Sequence, residues 1–182
     1  RGCVVKRTFV SVLALLLLLG VAIYWNTREG ARTAREVRAE EGYRAPGFTI
    51  EALDGGGVLD VGALIGQKPI FINFWESWCP PCRAEMPYLQ KAYEEYGQDV
   101  VFVMINPMTS DTLANAKAFL AEERYTFPVY LDDKDGSVMR LYRVGAFPTS
   151  FFIDRSGVII ARHMGAMSEE VVETLMKKIA RP

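Results

Sequence analysis

Histidine is almost missing from this 182-residue chain, which has one, and cysteine is sparse, with three. A zinc site of nitrogen and sulfur ligands needs four donors. Beyond the N-terminal region the chain offers only Cys79, Cys82 and His163, which argues against such a site and leaves no metal to assign. An excess of either charge is also lacking: Lys+Arg 21 against Asp+Glu 22 gives a net charge of -1. Nothing in that balance suits a nucleic-acid partner. Low-complexity stretches and internal repeats are absent. With 50% hydrophobic and 24% charged residues, the composition excludes a disordered chain and fits one that builds a core.

Charge disappears altogether between Thr8 and Trp25, where the residues from Val12 to Leu19 are nearly all leucine and Lys6 and Arg7 stand just before the run. Eighteen helical residues rise about 27 Å, close to the roughly 30 Å hydrocarbon core of a bilayer. A soluble amphipathic helix would need a polar face, and only Thr8, Ser11 and Tyr24 supply polar atoms here. A cleaved signal peptide would need a small-x-small site after the run, but Ile23, Tyr24, Trp25 and Asn26 follow. Residues 1–25 are therefore expected to form one retained transmembrane signal anchor, with Tyr24 and Trp25 at the interface. A first hydrophobic segment of this kind usually acts as a signal anchor, so residues 26–182 of a single-pass protein are expected outside the cytoplasm. Residues 26–43 read as a polar tether and 44–182 as one globular domain. Cys3 lacks a lipobox and a sequence partner, and it is given no role.

In the globular part, strand and helix patterns alternate. Phe48–Ala52, Val58–Val61, Ile70–Trp75, Val100–Ile105, Val129–Leu131, Thr149–Ile153 and Val158–His163 have the length and apolar content of strands, the last two joined by a turn at Asp154–Gly157. Pro81–Tyr96 places Met86, Leu89, Tyr93 and Tyr96 on one helical face, with Pro87 inside it. Leu113–Glu123 reads as a helix capped by Asp111 or Ser110, with Leu113, Ala116 and Leu120 facing inward. Ser137–Tyr142 and Ser168–Ile179 complete the helices. That order implies an α/β domain with a mixed central sheet and helices on both faces.

The chemistry-bearing segment is Trp78-Cys-Pro-Pro-Cys82, where an apolar strand meets a helix. Two cysteines separated by two residues can close a disulfide, and the helix N-terminus stabilises a thiolate on the first. Cys79 is the expected nucleophile in thiol-disulfide exchange, and Cys82, one turn inward and less exposed, the resolving thiol. A purely structural disulfide would gain little from so short a loop. Pro80 and Pro81 carry no N–H, so only donors from Cys82 onward, or an Arg83 side chain turned back, can reach a Cys79 thiolate. A moderately lowered Cys79 pKa follows. His163, in a late strand, is expected away from the motif, and Glu76 on an exposed loop. Trp75, Trp78, Phe147 and Pro148 can form the apolar rim of a peptide groove, although Trp75 fits the core equally well.

The string Phe71-Ile-Asn-Phe-Trp75, then Trp78-Cys-Pro-Pro-Cys-Arg-Ala-Glu-Met-Pro87, resembles the active site of the TlpA/ResA-like membrane-anchored thiol-disulfide oxidoreductases. Gly145-Ala-Phe-Pro-Thr-Ser-Phe-Phe-Ile-Asp154 resembles that family's proline loop, so the similarity spans most of residues 44–182. It implies a thioredoxin-like fold, a cis Phe147-Pro148 bond beside Cys79, and substrate contacts at Trp78, Pro80, Pro81, Phe147 and Pro148. It also implies a role for Glu85, three residues after the second cysteine, in thiol ionisation. Ordinary thioredoxins carry a buried aspartate six residues before the first cysteine. Asn73 stands there in this chain and cannot take a proton, so if a carboxylate assists Cys82, Glu85 is the better candidate.

The activity so implied is reduction of protein disulfides, with apocytochrome c as a target and a membrane thiol donor of the DsbD/CcdA type as the source of electrons. No cofactor is required, because the Cys79-Cys82 pair carries both electrons. The same residues run in reverse would make an oxidant or isomerase, and an inert pair would leave a protein-binding module. Gly47–Gly55 also resembles a peroxiredoxin opening, but the reactive peroxidase pattern around its cysteine is absent.

Overall fold

The computed structural model describes residues 15–25, 27 and 36–180. The chain divides into two units, one ending at Glu36 and one beginning at Val37. In the first, residues 15–25 form a helix, α1, with exposed leucines. At about 1.5 Å per residue this part rises about 16 Å. Among the described residues no helix is long and apolar enough to cross a membrane. The remainder of the expected anchor, with Cys3, lies outside the described residues.

The second unit starts earlier than the expected 44. Ala39 and Ala45 are buried, Gly42 N–H donates to Ile159 O at 2.8 Å, and Ile159 N–H donates to Tyr43 O at 2.9 Å. Residues 37–43 are thus laid along a sheet edge and belong to the globular unit, because they satisfy backbone groups an edge strand leaves open.

A seven-stranded sheet follows, from β1 (Thr49–Ala52), β2 (Val58–Asp60), β3 (Ile70–Phe74), β4 (Val101–Pro107), β5 (Val129–Asp132), β6 (Thr149–Ile153) and β7 (Ile159–Met164). Its order is β2-β1-β5-β4-β3-β6-β7. β3 pairs in parallel with β4, and β4 with β5, whereas the remaining pairs are antiparallel. The helices are α2 (Val61–Leu64), α3 (Pro80–Tyr96), α4 (Leu113–Glu123), α5 (Ser137–Leu141) and α6 (Glu169–Ala180).

Every residue of β3 is buried because helices cover both faces. The two-residue period then sorts its side chains. Phe71 enters a core with residues of α3, α4 and α6, including Met86, Phe119 and Met176. Ile70, Ile72 and Phe74 enter the opposite core, with Val61, Ile65, Val138 and Tyr142. Asn73 shares the parity of Phe71 and so faces α3, the helix that begins at the cysteines.

Four local expectations change. Val61 ends no strand: Asp60 accepts from Ala63 N–H and starts the short α2. Thr112, and neither Asp111 nor Ser110, caps α4 by accepting from Asn115 N–H at 3.2 Å. Leu113 is exposed, and Ala116 and Phe119 form the buried face of that helix. Trp75 belongs to the core, fully buried with its ring 5.8 Å from that of Phe119, and takes no part in a rim.

Candidate active site

α3 starts at the cysteines for local reasons. Cys79 is its N-cap, with an extended backbone, and prolines occupy the next two positions, where a missing N–H costs nothing. Cys82 N–H donates to Cys79 Sγ at 3.3 Å. The two cysteines are joined in a disulfide, with Cα atoms 5.3 Å apart. Both cysteines are buried, Cys79 at 5% exposure and Cys82 at 0%, so the expected difference in exposure between them is small. α3 continues unbroken through Pro87.

Arg83 does not turn back to the sulfur. Its guanidinium reaches Ser77 O at 3.3 Å and Glu123 Oε1 at 3.4 Å and lies 4.5 Å from the Phe119 ring centroid. The cation is drawn to an aromatic face and a carboxylate, which leaves the helix N-terminus to act on Cys79 alone.

On the inward face of α3, three residues beyond Cys82, Glu85 is 1% exposed. Its Oε1 accepts from Asn73 Nδ2 at 2.9 Å and its Oε2 from Met167 N–H at 2.9 Å. Asn73 Nδ2 also donates to Ser150 Oγ at 2.9 Å. Burial pushes the Glu85 carboxyl up to about 7, against the two hydrogen bonds, which favour the anion. Asn73 Oδ1 is buried with no partner among the described residues. Rotation of that amide would offer an acceptor to a protonated Glu85. The parity of β3 and the one-turn spacing of α3 therefore hold a buried carboxyl, its pKa pushed up to about 7, one turn along α3 from Cys82.

The turn before Cys79 is fastened to the β4–α4 loop. Asp111 accepts from Ser77 N–H at 2.6 Å, Ser77 Oγ at 2.9 Å and Asn106 Nδ2 at 2.9 Å. The Trp78 indole donates to Ser110 O at 3.0 Å, and Ser110 Oγ donates to Glu76 Oε1. Glu76 is buried at 1% exposure, contrary to the exposed loop position expected, because the β4–α4 loop closes over it. Burial raises its pKa, as does facing Asp111, with the Ser110 bond opposing. Asp111 is held below its ordinary value; burial opposes this, and the Asn106, Ser77 and Thr112 donors prevail.

The other residues expected to contact substrate differ in exposure. Trp78 is 59% exposed, Pro80 and Pro81 are exposed in the first turn, Phe147 is half-buried and Pro148 is buried after a cis bond. His163 pairs with Ser150 across β6 and β7, two strands from β3. The acceptor role of Asp111 and the Ser110 clip escaped the sequence, where both residues signalled a helix cap. The clue available was a polar stretch at the C-terminal end of a parallel strand, where α/β sheets place their sites.

A thioredoxin-like α/β fold with a redox-active cysteine pair at a helix N-terminus defines a thiol-disulfide oxidoreductase. Residues 40–178 match the Redoxin family. The chain is 34% identical over 174 residues, 96% of its length and 97% of the relative's, to thiol-disulfide oxidoreductase ResA of Bacillus thuringiensis subsp. konkukian. It is 31% identical to thioredoxin-like protein YneN of Bacillus subtilis, covering 92% of this chain and 95% of that one. Among solved structures it resembles StoA from Bacillus subtilis, with a TM-score of 0.62, 27% identity, and 71% and 96% of the two chains covered. A thiol:disulfide interchange protein from Chlorobium tepidum gives 0.66, with 26% identity and 76% and 96% covered. The chain belongs to the Redoxin family and is a ResA-like, thioredoxin-family thiol-disulfide oxidoreductase.

Proposed function

We propose that this oxidoreductase works as a reductant of protein disulfides outside the cytoplasm, tethered to the membrane by its N-terminal apolar segment. The observation that carries the reading is the Glu85 carboxyl, buried on the inward face of the helix that Cys79 caps and held by Asn73 and Met167. In the reduced form, the Cys79 thiolate attacks one sulfur of a target disulfide. The target S–S bond breaks, a mixed disulfide forms, and the displaced target thiolate takes a proton. Glu85 accepts the Cys82 proton, and the Cys82 thiolate then attacks Cys79 Sγ. The second target sulfur leaves as a thiol, and two electrons have passed from the pair to the target. No cofactor enters this sequence.

In this scheme Trp78, Pro80, Pro81, Phe147 and Pro148 form the substrate surface, as the family resemblance implies. Apocytochrome c is the target the family resemblance favours, and a DsbD/CcdA-type membrane thiol donor would restore the dithiol. The test is the reduction potential of the Cys79-Cys82 couple, measured against thiol buffers. A value at or below about -230 mV is expected of a reductant, and one near -120 mV would make the protein an oxidant. Insulin reduction by the chain, and its loss in Cys79→Ser, checks the chemistry independently. Insulin reduction that persists in that variant would refute the assignment of Cys79.

A further inference from the structure

Ser110 makes two contacts with the turn before Cys79. Its carbonyl takes the Trp78 indole N–H at 3.0 Å, and its hydroxyl gives a hydrogen bond to Glu76. Cys79 N–H in turn donates to Glu76 O at 3.2 Å. The Glu76 backbone carbonyl thus meets the nucleophile's N–H, and its carboxyl reaches the exposed Trp78 through Ser110. A carboxyl in that position is an expensive choice for a structural plug. It is 1% exposed, its Oε2 has no partner among the described residues, and Asp111 is already engaged by four donors nearby. An aliphatic side chain would fill the same volume without that cost, but it could not hold Ser110.

We propose that Glu76 is a positioning residue for reaction with protein disulfides: through Ser110 it fixes Trp78 as a rigid wall beside Cys79, against which a polypeptide substrate is seated. Trp78 is the largest exposed side chain of the Cys79 turn, and its apolar rings face outward while only the N–H is tied down. A fixed aromatic wall orders less on binding than a free one and so favours a large partner. A small disulfide needs only the sulfur and gains little from the wall. Glutamine keeps an acceptor oxygen on a side chain of the same length and carries no charge.

The inference rests on a protein disulfide being the substrate, so its experiment carries a wild-type control. The reduced 182-residue chain is reacted in single turnover with insulin and with hydroxyethyl disulfide. For Glu76→Ala, loss of the buried hydrogen bond is expected to lower the insulin rate constant by about five- to tenfold. The hydroxyethyl disulfide rate is expected to stay within about twofold, since the sulfur chemistry is untouched. Glu76→Gln keeps the Ser110 acceptor and is expected to recover most of the insulin rate. Ser110→Ala, an exposed position whose loss threatens folding less, is expected to reproduce the selective defect. Equal losses on both substrates, or no rescue by glutamine, would overturn the proposal. A wild-type chain that reacts with hydroxyethyl disulfide and not with insulin would instead overturn the substrate reading on which it stands.

Discussion

Replacing Glu85 by glutamine should change how the stability of the oxidised chain depends on pH, in a direction the burial of this residue fixes. Burial raises the Glu85 pKa from an ordinary 4.5 to about 7. Between those values the folded protein holds a proton that the unfolded chain has released. Stability therefore falls as pH rises through this window, because the unfolded state binds fewer protons. Each tenfold change in proton affinity is worth about 1.4 kcal/mol, so the penalty above pH 7 amounts to about 3 kcal/mol. The group is 1% exposed, which leaves little water to screen it. Glutamine carries no charge and removes the penalty. Any hydrogen bond it loses to Met167 N–H or Asn73 shifts its stability equally at every pH. The difference between Glu85→Gln and wild type should thus rise by about 3 kcal/mol from pH 4.5 to pH 8, or roughly 6–12 °C in Tm for a chain of this size. Denaturant unfolding of both oxidised proteins across that range measures it. A difference that stays flat, or that favours wild type as pH rises, would refute the claim that Glu85 is buried at a cost in its charged form.

Two further outcomes test the scaffold around the site. Tyr142 is fully buried and its hydroxyl donates to Pro46 O at 2.7 Å, so Tyr142→Phe should cost about 1–2 kcal/mol by chemical denaturation, leaving the carbonyl unpaired. A neutral result would mean that Pro46 finds another donor. Asp111→Asn keeps an acceptor but loses the anion that gathers Ser77, Asn106 and Thr112. It should destabilise by about 1.5–3 kcal/mol at neutral pH. Because the Asp111 pKa is lowered in the fold, that gap should close as pH drops below the ordinary carboxylate value, and a gap that widens in acid would contradict the assignment.

Much of the site was legible because it is local. Cys79 and Cys82, the two prolines between them and the helix behind them lie within a few residues, and a strand-to-helix junction shows as a switch from an apolar run to helical spacing. The strand candidates fell close to the observed β1 to β7 for the same reason, each run being bounded by turn residues. Errors gathered where a residue's environment is made by something distant in the chain. Glu76 looked like a loop carboxylate because the segment that buries it arrives 34 residues later, with Ser110. Asp111 carried the signature of a helix cap and instead holds the turn before the nucleophile. Arg83 was free to turn toward Cys79 in the sequence, but Phe119 and Glu123 on α4 offered it a better seat.

Spacing and composition by themselves determined the redox pair, the helix that begins there and the alternation of α and β elements. Each of these depends on the backbone periods of a few consecutive residues. Tertiary structure alone decided which carboxyls sit in low dielectric, which aromatics are wall or core, and where the globular unit begins. Burial and hydrogen-bond partnership are properties of assembled layers, and Asn73 meets Glu85 only once β3 lies beneath α3.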